Sequence, residues 1–182
     1  VTVSPKREVR VREAGVHCEV CHGPGDAHLE AIGRGEVDEA RNQIINPGSL
    51  SGEELVEFCG TCHRFPGSDQ AAIDWSLPWN VRHQPPYLRQ SKCFQNSDGT
   101  LSCLTCHDAH QPVRLSDPAY YRRKCATCHN ARTRSPAEAC EAENPSDCTN
   151  CHMPTVAIHS HMNAKNHWIG IYLDGATLKP SR

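Results

Sequence analysis

The chain has 182 residues with 19 basic and 21 acidic side chains, a net charge of −2 with histidine neutral. That balance lacks the basic footprint of a nucleic-acid binder, and no apolar run is long enough for a membrane span. Three Phe, three Trp and four Tyr stand beside 12 Cys and 12 His at a mean hydropathy of −0.61, so side chains alone would make a meagre interior.

In chain order, residues 1–16 alternate apolar and charged positions and read as an extended arm or short edge strand. CEVCHGPGDAH follows at 18–28, where Gly23-Pro24-Gly25 stops one helical turn and reverses the chain. Asp26 can cap a second helix through about Arg34, with His28 near its start. Residues 35–50 read as a loop closed by Asn46-Pro47-Gly48. Ser51 and Glu54 form a capping box for a helix carrying Leu55, Phe58 and a second C-x-x-C-H. Pro66 to Pro86 is loop-rich, and the prolines after His83 predict extended backbone there. Its Trp75 and Trp79 are expected to pack as core aromatics or against a bound group. Cys93 and an Asp98-Gly99 turn lead into CLTCHDAH at 103–110. Asp117-Pro118 is an N-cap followed by N1 for the helix that bears the fourth motif. Ser135 to Glu138 repeats the capping-box pattern for a short helix including Cys140. The fifth motif, Met153-Pro154 and a histidine-bearing tail complete the chain.

The five motifs are Cys18, Cys21 and His22; Cys59, Cys62 and His63; Cys103, Cys106 and His107; Cys125, Cys128 and His129; and Cys148, Cys151 and His152. Two cysteines on one helical turn can add to the two vinyl groups of a porphyrin, and the adjacent histidine then offers a nitrogen to its iron. Zinc is the competitor, because the gaps from Cys106 to Cys125 and from Cys128 to Cys148 fit paired zinc knuckles. The histidine decides. Tetrahedral Cys₄ sites have no need of it, and its chance appearance after all five pairs is on the order of one in a million. The reading is five covalent c-type haems.

Seven histidines remain: His17, His28, His83, His110, His159, His161 and His167. Five irons take at most five distal ligands, so the surplus favours bis-histidine ligation, which closes the iron to substrates; Met153 and Met162 are the other candidates. Cys93 and Cys140 lie outside every motif and are expected to form a disulfide in an exported protein.

CEVCHGPGDAH, RHQPPYLRQSKCF, CLTCHDAH, CTNCHMP and HMNAKNHWI together resemble the multihaem cytochrome c superfamily over about residues 15 to 172. That superfamily includes the nitrifiers' tetrahaem cytochrome, octahaem hydroxylamine oxidoreductase and tetratricopeptide-associated multihaem cytochromes. The resemblance implies distal ligation by His28, His110, His161 and His167. His83 is taken as the fifth, at a position where relatives often carry an aromatic residue. His17 is held in reserve, as a distal ligand or one shared with a neighbouring subunit.

The expected fold is mainly α with much irregular structure, a small multihaem cytochrome c whose covalent haems form the core. It reads as one pentahaem domain over 1–182: an arm at 1–16, haems 1–2 at 17–65, a linker at 66–102, haems 3–5 at 103–172 and a tail at 173–182. The expected function is electron transfer and not catalysis, as a carrier or as a subunit of a larger conduit or filament. Its partners would be redox proteins or other copies of the chain meeting at haem edges, with His17 or His159 near that boundary. The alternative is an oxidoreductase acting on small nitrogen compounds. Covalent haem attachment to this motif is extracytoplasmic chemistry, so the N-terminus VTVSPKREVR, which is no signal peptide, suggests a mature chain or fragment in the periplasm or outside the cell. Denatured protein should keep its haem colour, and intact mass should exceed the 20.2 kDa polypeptide by five haem masses; a smaller excess, or bound zinc, would refute the count.

Overall fold

The computed structural model describes residues 2–3, 9–10, 15–63, 73–114, 117–129, 147–173 and 175–181. The chain is mainly helical, with little strand and much irregular structure. It forms two compact units, Val1–Leu50 and Ser51–Arg182. Among the described residues no helix is long and apolar enough to cross a membrane.

In the first unit, β1 (Thr2–Val3) pairs antiparallel with β2 (Val9–Arg10), so the N-terminal arm folds back on itself. Helix α1 (Cys18–His22) ends at Gly23, whose φ of 76° is left-handed backbone that suits glycine. Helix α2 (Asp26–Gly33) starts one residue earlier than expected. Gly25 is its N-cap, Asp26 occupies the first turn, and Glu19 Oε1 accepts the Gly25 N–H at 2.7 Å. The region read as loop contains α3 (Val37–Asn42), which packs on α2 with Ala31 and Ala40 buried at 0 % exposure. Two small side chains allow that close approach, and they give too weak a periodicity to announce a helix. The Asn46-Pro47-Gly48 turn is a 3₁₀ helix, Pro47–Ser49, whose Asn46 side chain accepts the Gly48 N–H at 3.1 Å.

The second unit opens with the expected capping box. Glu54 Oε2 accepts the Ser51 N–H at 2.9 Å, and the Glu54 N–H donates to Ser51 Oγ at 3.3 Å. The Ser51 hydroxyl and then its backbone N–H hold the Glu54 carboxyl below its ordinary pKa. Helix α4 (Gly52–His63) buries Leu55 and Val56. A 3₁₀ helix, Pro78–Arg82, leads into α5 (Gln84–Arg89) and α6 (Lys92–Gln95). The expectation of extended chain across 83–86 is corrected here, because Pro85 and Pro86 fall in the first turn of α5, where a missing N–H costs nothing. Arg89 ties α5 back to α4 by pairing with Glu53 and, at 3.2 Å, with Glu57. Helix α7 (Cys103–Cys106) is followed by α8 (Pro118–Ala126), where Asp117 caps by accepting the Tyr120 N–H at 2.9 Å. After α9 (Cys148–His152) the expected tail is a hairpin. Its strands are β3 (Thr155–His159) and β4 (Met162–Lys165), with Val156 opposite Ala164. The helix expected from Ser135, including Cys140, and the chain from 64 to 72 lie outside the described residues.

The core of this unit is Val81, Tyr87 and Val156, with Trp75, Ala164, Trp168 and Leu178 packed against it. Trp75 meets Tyr87 edge-on at 4.9 Å and Trp168 at 5.3 Å, so it is a core aromatic. Trp79 is 47 % exposed and lies beneath the Arg82 guanidinium, 4.3 Å from the ring centre.

Asp98 and Gly99 both have positive φ, and their turn brings Gly99 O to accept the Gly52 N–H at 3.0 Å. A Cβ at Gly52 would stand 2.6 Å from Gly99 O and press on Leu101 O as well. Gly52→Ala is therefore expected to cost about 1–3 kcal/mol through forced separation of these backbones, read as a lower thermal midpoint of the intact protein. An unchanged midpoint would show that the turn yields freely.

Candidate haem-attachment sites

Each cysteine pair is set on one turn of helix, as adjacent addition to a porphyrin requires. Cys18 and Cys21 lie within α1, Cys103 and Cys106 within α7, and Cys148 and Cys151 within α9. Cys59 and Cys62 lie at the end of α4. Cys125 and Cys128 straddle the end of α8, where the helical turn is kept by the His129 N–H donating to Cys125 O at 2.8 Å.

The ten cysteines expected to form thioethers are all free thiols here, none of them in a disulfide. Within the first pair Cys18 is exposed and Cys21 half-buried, and within the fifth Cys148 is half-buried and Cys151 exposed. Cys62 and Cys128 are exposed as well, whereas Cys59, Cys103, Cys106 and Cys125 are half-buried.

In the first unit the ring of His22 is fixed by Nδ1–H donating to Ile45 O at 2.7 Å. His28, on α2, donates in the same way to Ala40 O at 2.8 Å. A carbonyl oxygen can only accept, so in each neutral imidazole the proton sits on Nδ1 and Nε2 carries the lone pair. That is the tautomer and orientation a metal-ligating histidine needs. Val20, Leu29 and Ile32, on the same two helices, leave their apolar side chains exposed, Leu29 most of all. Among the described residues none covers these faces.

In the second unit the elements bearing the motifs touch in chain order: α4 packs on α7, α7 on α8 and α8 on α9. Thiols meet at two of those junctions. Cys103 donates a hydrogen bond to Cys59, which draws the Cys59 pKa down and, with burial, raises that of Cys103. Burial and neighbouring Cys148 push Cys125 up to about 12. Burial also raises Cys93, with nearby Cys128 adding to it, and Cys106, with nearby Cys93 adding to it. Cys93 is thus half-buried among attachment thiols, and its expected partner Cys140 lies outside the described residues. Among the described residues no three His, Cys, Asp or Glu side chains converge as metal-ion ligands.

His152 repeats the pattern of His22, with Nδ1–H donating to Gly170 O at 2.9 Å. The His107 and His167 rings lie 6.3 Å apart between centres and are tilted by 34°, and Tyr121 lies 6.0 Å from His107. Burial lowers the His107 pKa and pushes His167 down to about 4, so both imidazoles are neutral at neutral pH. A shallow depression beside His107 is lined by Cys106, Pro112, Arg114, Tyr120 and Tyr121, among others. Of the other histidines expected to ligate, His83 is buried at 6 % exposure between the Pro78–Arg82 helix and α5. His110 and His161 lie exposed on turns, His161 with its ring 6.5 Å from that of His159. His17 is exposed at the start of α1, and the rings of His63 and His129 are also at the surface.

Three supporting residues carried no expectation from the sequence. Asp147 caps α9 by accepting the Thr149 N–H at 3.0 Å and the Asn150 N–H at 3.1 Å, and an Asp directly before Cys148 is a signal that was there to be read. Buried Ser91 donates to His167 O at 3.0 Å and accepts the Ile169 N–H at 2.7 Å. Buried Asn166 donates to Thr177 O and Leu178 O and accepts the Trp168 N–H. Nothing local in the sequence marks either of these two.

The chain is 25 % identical to the multiheme cytochrome MtrA of Shewanella baltica (strain OS185) over 152 residues, taking in 78 % of this chain and 36 % of that relative. It therefore spans about a third of the relative's length. No family model matches, and no solved structure matches. The likeness is thus to a multihaem cytochrome.

The cap on the fifth motif can be tested directly. Asp147→Ala is expected to cost about 1 kcal/mol and to speed amide hydrogen exchange over residues 148–152, with Asp147→Asn largely restoring protection. Equal exchange in Asp147→Ala and the parent would show that the cap is dispensable.

Proposed function

We propose, from this relationship to multihaem cytochromes, that the chain transfers electrons through five c-type haems. The thioethers would form at Cys18 and Cys21, Cys59 and Cys62, Cys103 and Cys106, Cys125 and Cys128, and Cys148 and Cys151. The proximal ligands would be His22, His63, His107, His129 and His152. The observation that carries the reading is the pair of anchored imidazoles, His22 and His152. Each directly follows its cysteine pair and presents Nε2 as the lone pair. Distal ligation falls to His28, His83, His110, His161 and His167, with His17 in reserve at a subunit boundary. The anchored Nδ1 of His28 and of His167 supports two of these.

When bound, haem supplies an iron that changes oxidation state by one electron with little rearrangement. The chain's part is to set the spacing and surroundings of those irons. Contact of α4, α7, α8 and α9 in chain order supports a serial path through the second to fifth sites. Were a second histidine to hold each iron, no position would be left for a substrate, which favours a carrier over an enzyme. Such a protein works outside the cytoplasm and exchanges electrons with redox proteins or other copies of itself, as a carrier or as part of a larger conduit.

The test is the spectrum of the loaded protein. All irons are expected to be six-coordinate and low-spin, and cyanide, nitrite or hydroxylamine should leave the spectrum nearly unchanged. A high-spin signal equal to one whole haem, with turnover of nitrite or hydroxylamine, would replace the carrier with an oxidoreductase of small nitrogen compounds.

A further inference from the structure

Which distal histidine serves which iron is a separate question, and one pair of rings answers it for one site. We propose that His107 and His167 are the two axial ligands of a single haem, the one attached at Cys103 and Cys106. The inference rests on the haem reading above and adds to it the pairing of two distant residues.

A metal–imidazole bond of about 2 Å puts the ring centre about 3.2 Å from the metal, so ligands on opposite sides of a metal have centres about 6.3 Å apart, and ligands at a tetrahedral angle about 5 Å. The His107 and His167 centres are 6.3 Å apart, which is the opposed arrangement of a porphyrin's two axial positions. Their 34° interplanar angle also fits, since each axial ring can turn about its own bond to the metal. Stacked imidazoles would lie closer and parallel.

Spacing alone does not decide, because His159 and His161 are 6.5 Å apart. Those two are exposed, lie on one turn and belong to no cysteine pair. His107, by contrast, directly follows Cys106, and His167 comes to it from a distant part of the chain. His167 is also held on three sides. Its Nδ1–H donates to Lys165 O at 3.0 Å, which leaves Nε2 as the lone pair. Ser91 takes up its carbonyl and the N–H of Ile169. Asn166, fully buried, fixes the preceding residue to Thr177 and Leu178. A ring placed this firmly is preorganised for a ligand role.

The rival partner for His167 is the haem of Cys59 and Cys62, because His63 also lies near enough to influence both rings. The experiment compares the loaded protein, His167→Ala, and the same substitution in a Cys103→Ser/Cys106→Ser background that is one haem mass lighter. His167→Ala alone is expected to turn one haem equivalent high-spin, with added imidazole restoring the low-spin spectrum. In the background lacking the third haem, His167→Ala should create no new high-spin haem. A high-spin haem that persists there assigns His167 to another iron and overturns the pairing, as does a fully low-spin spectrum in His167→Ala alone. If the background does not fold, a structure of the loaded parent protein decides the point by which iron Nε2 of His167 touches. Peptide mapping separates the two levels: no haem on Cys103 and Cys106 defeats the underlying reading, whereas haem there without His167 dependence defeats only the pairing.

Discussion

One buried hydroxyl closes the larger unit. Ser91 Oγ takes hydrogen bonds to and from a segment 76 to 78 residues further along, donating to His167 O and accepting from the Ile169 N–H. Either backbone group left without a partner in the interior would cost about 1–3 kcal/mol, so the C-terminal segment has one place to rest. Asn166 beside it satisfies two further carbonyls, and Trp168 then completes the edge-to-face aromatic group with Trp75 and Tyr87. Through these contacts the ring of His167 arrives beside a histidine from an attachment motif.

That closure matters because little else holds the chain. Among the described residues nine apolar side chains are buried, and two of those are the alanines between α2 and α3. Most of the helices are one or two turns long, well short of what persists in isolation. Such short elements fold only against something larger. In the first unit the apolar surfaces of Val20, Leu29 and Ile32 lie open among the described residues.

What could be read from the sequence was whatever is decided within a few residues. Ser51 with Glu54, Asp117 with Pro118, and Asp98 with Gly99 each act through a local hydrogen bond or φ preference, and each stands in the structure as expected. The helical turns under the cysteine pairs belong to the same class. The misreadings have physical reasons too. Helix α3 is held by the small Ala40 rather than by an apolar stripe, and α5 uses two prolines that elsewhere would signal extended chain. The β3–β4 hairpin turns through His159 to Met162 with an irregular register and no Asn-Gly or Asp-Gly pair, so nothing local sets it apart from a tail. The position of His167 beside His107 had no local signal at all. It depends on Ser91 and Asn166, whose partners lie far along the chain or are backbone atoms.

The contacts of α4 with α7, α7 with α8 and α8 with α9 make neighbours in space of neighbours in sequence. The array follows the order of the motifs, although α4 reaches α7 past α5 and α6. Its length is also negotiable. A further motif appended at an end adds one new junction and leaves the earlier ones undisturbed, whereas an interior deletion forces two strangers together. Growth by accretion at the ends is therefore the path of least disruption for such a chain.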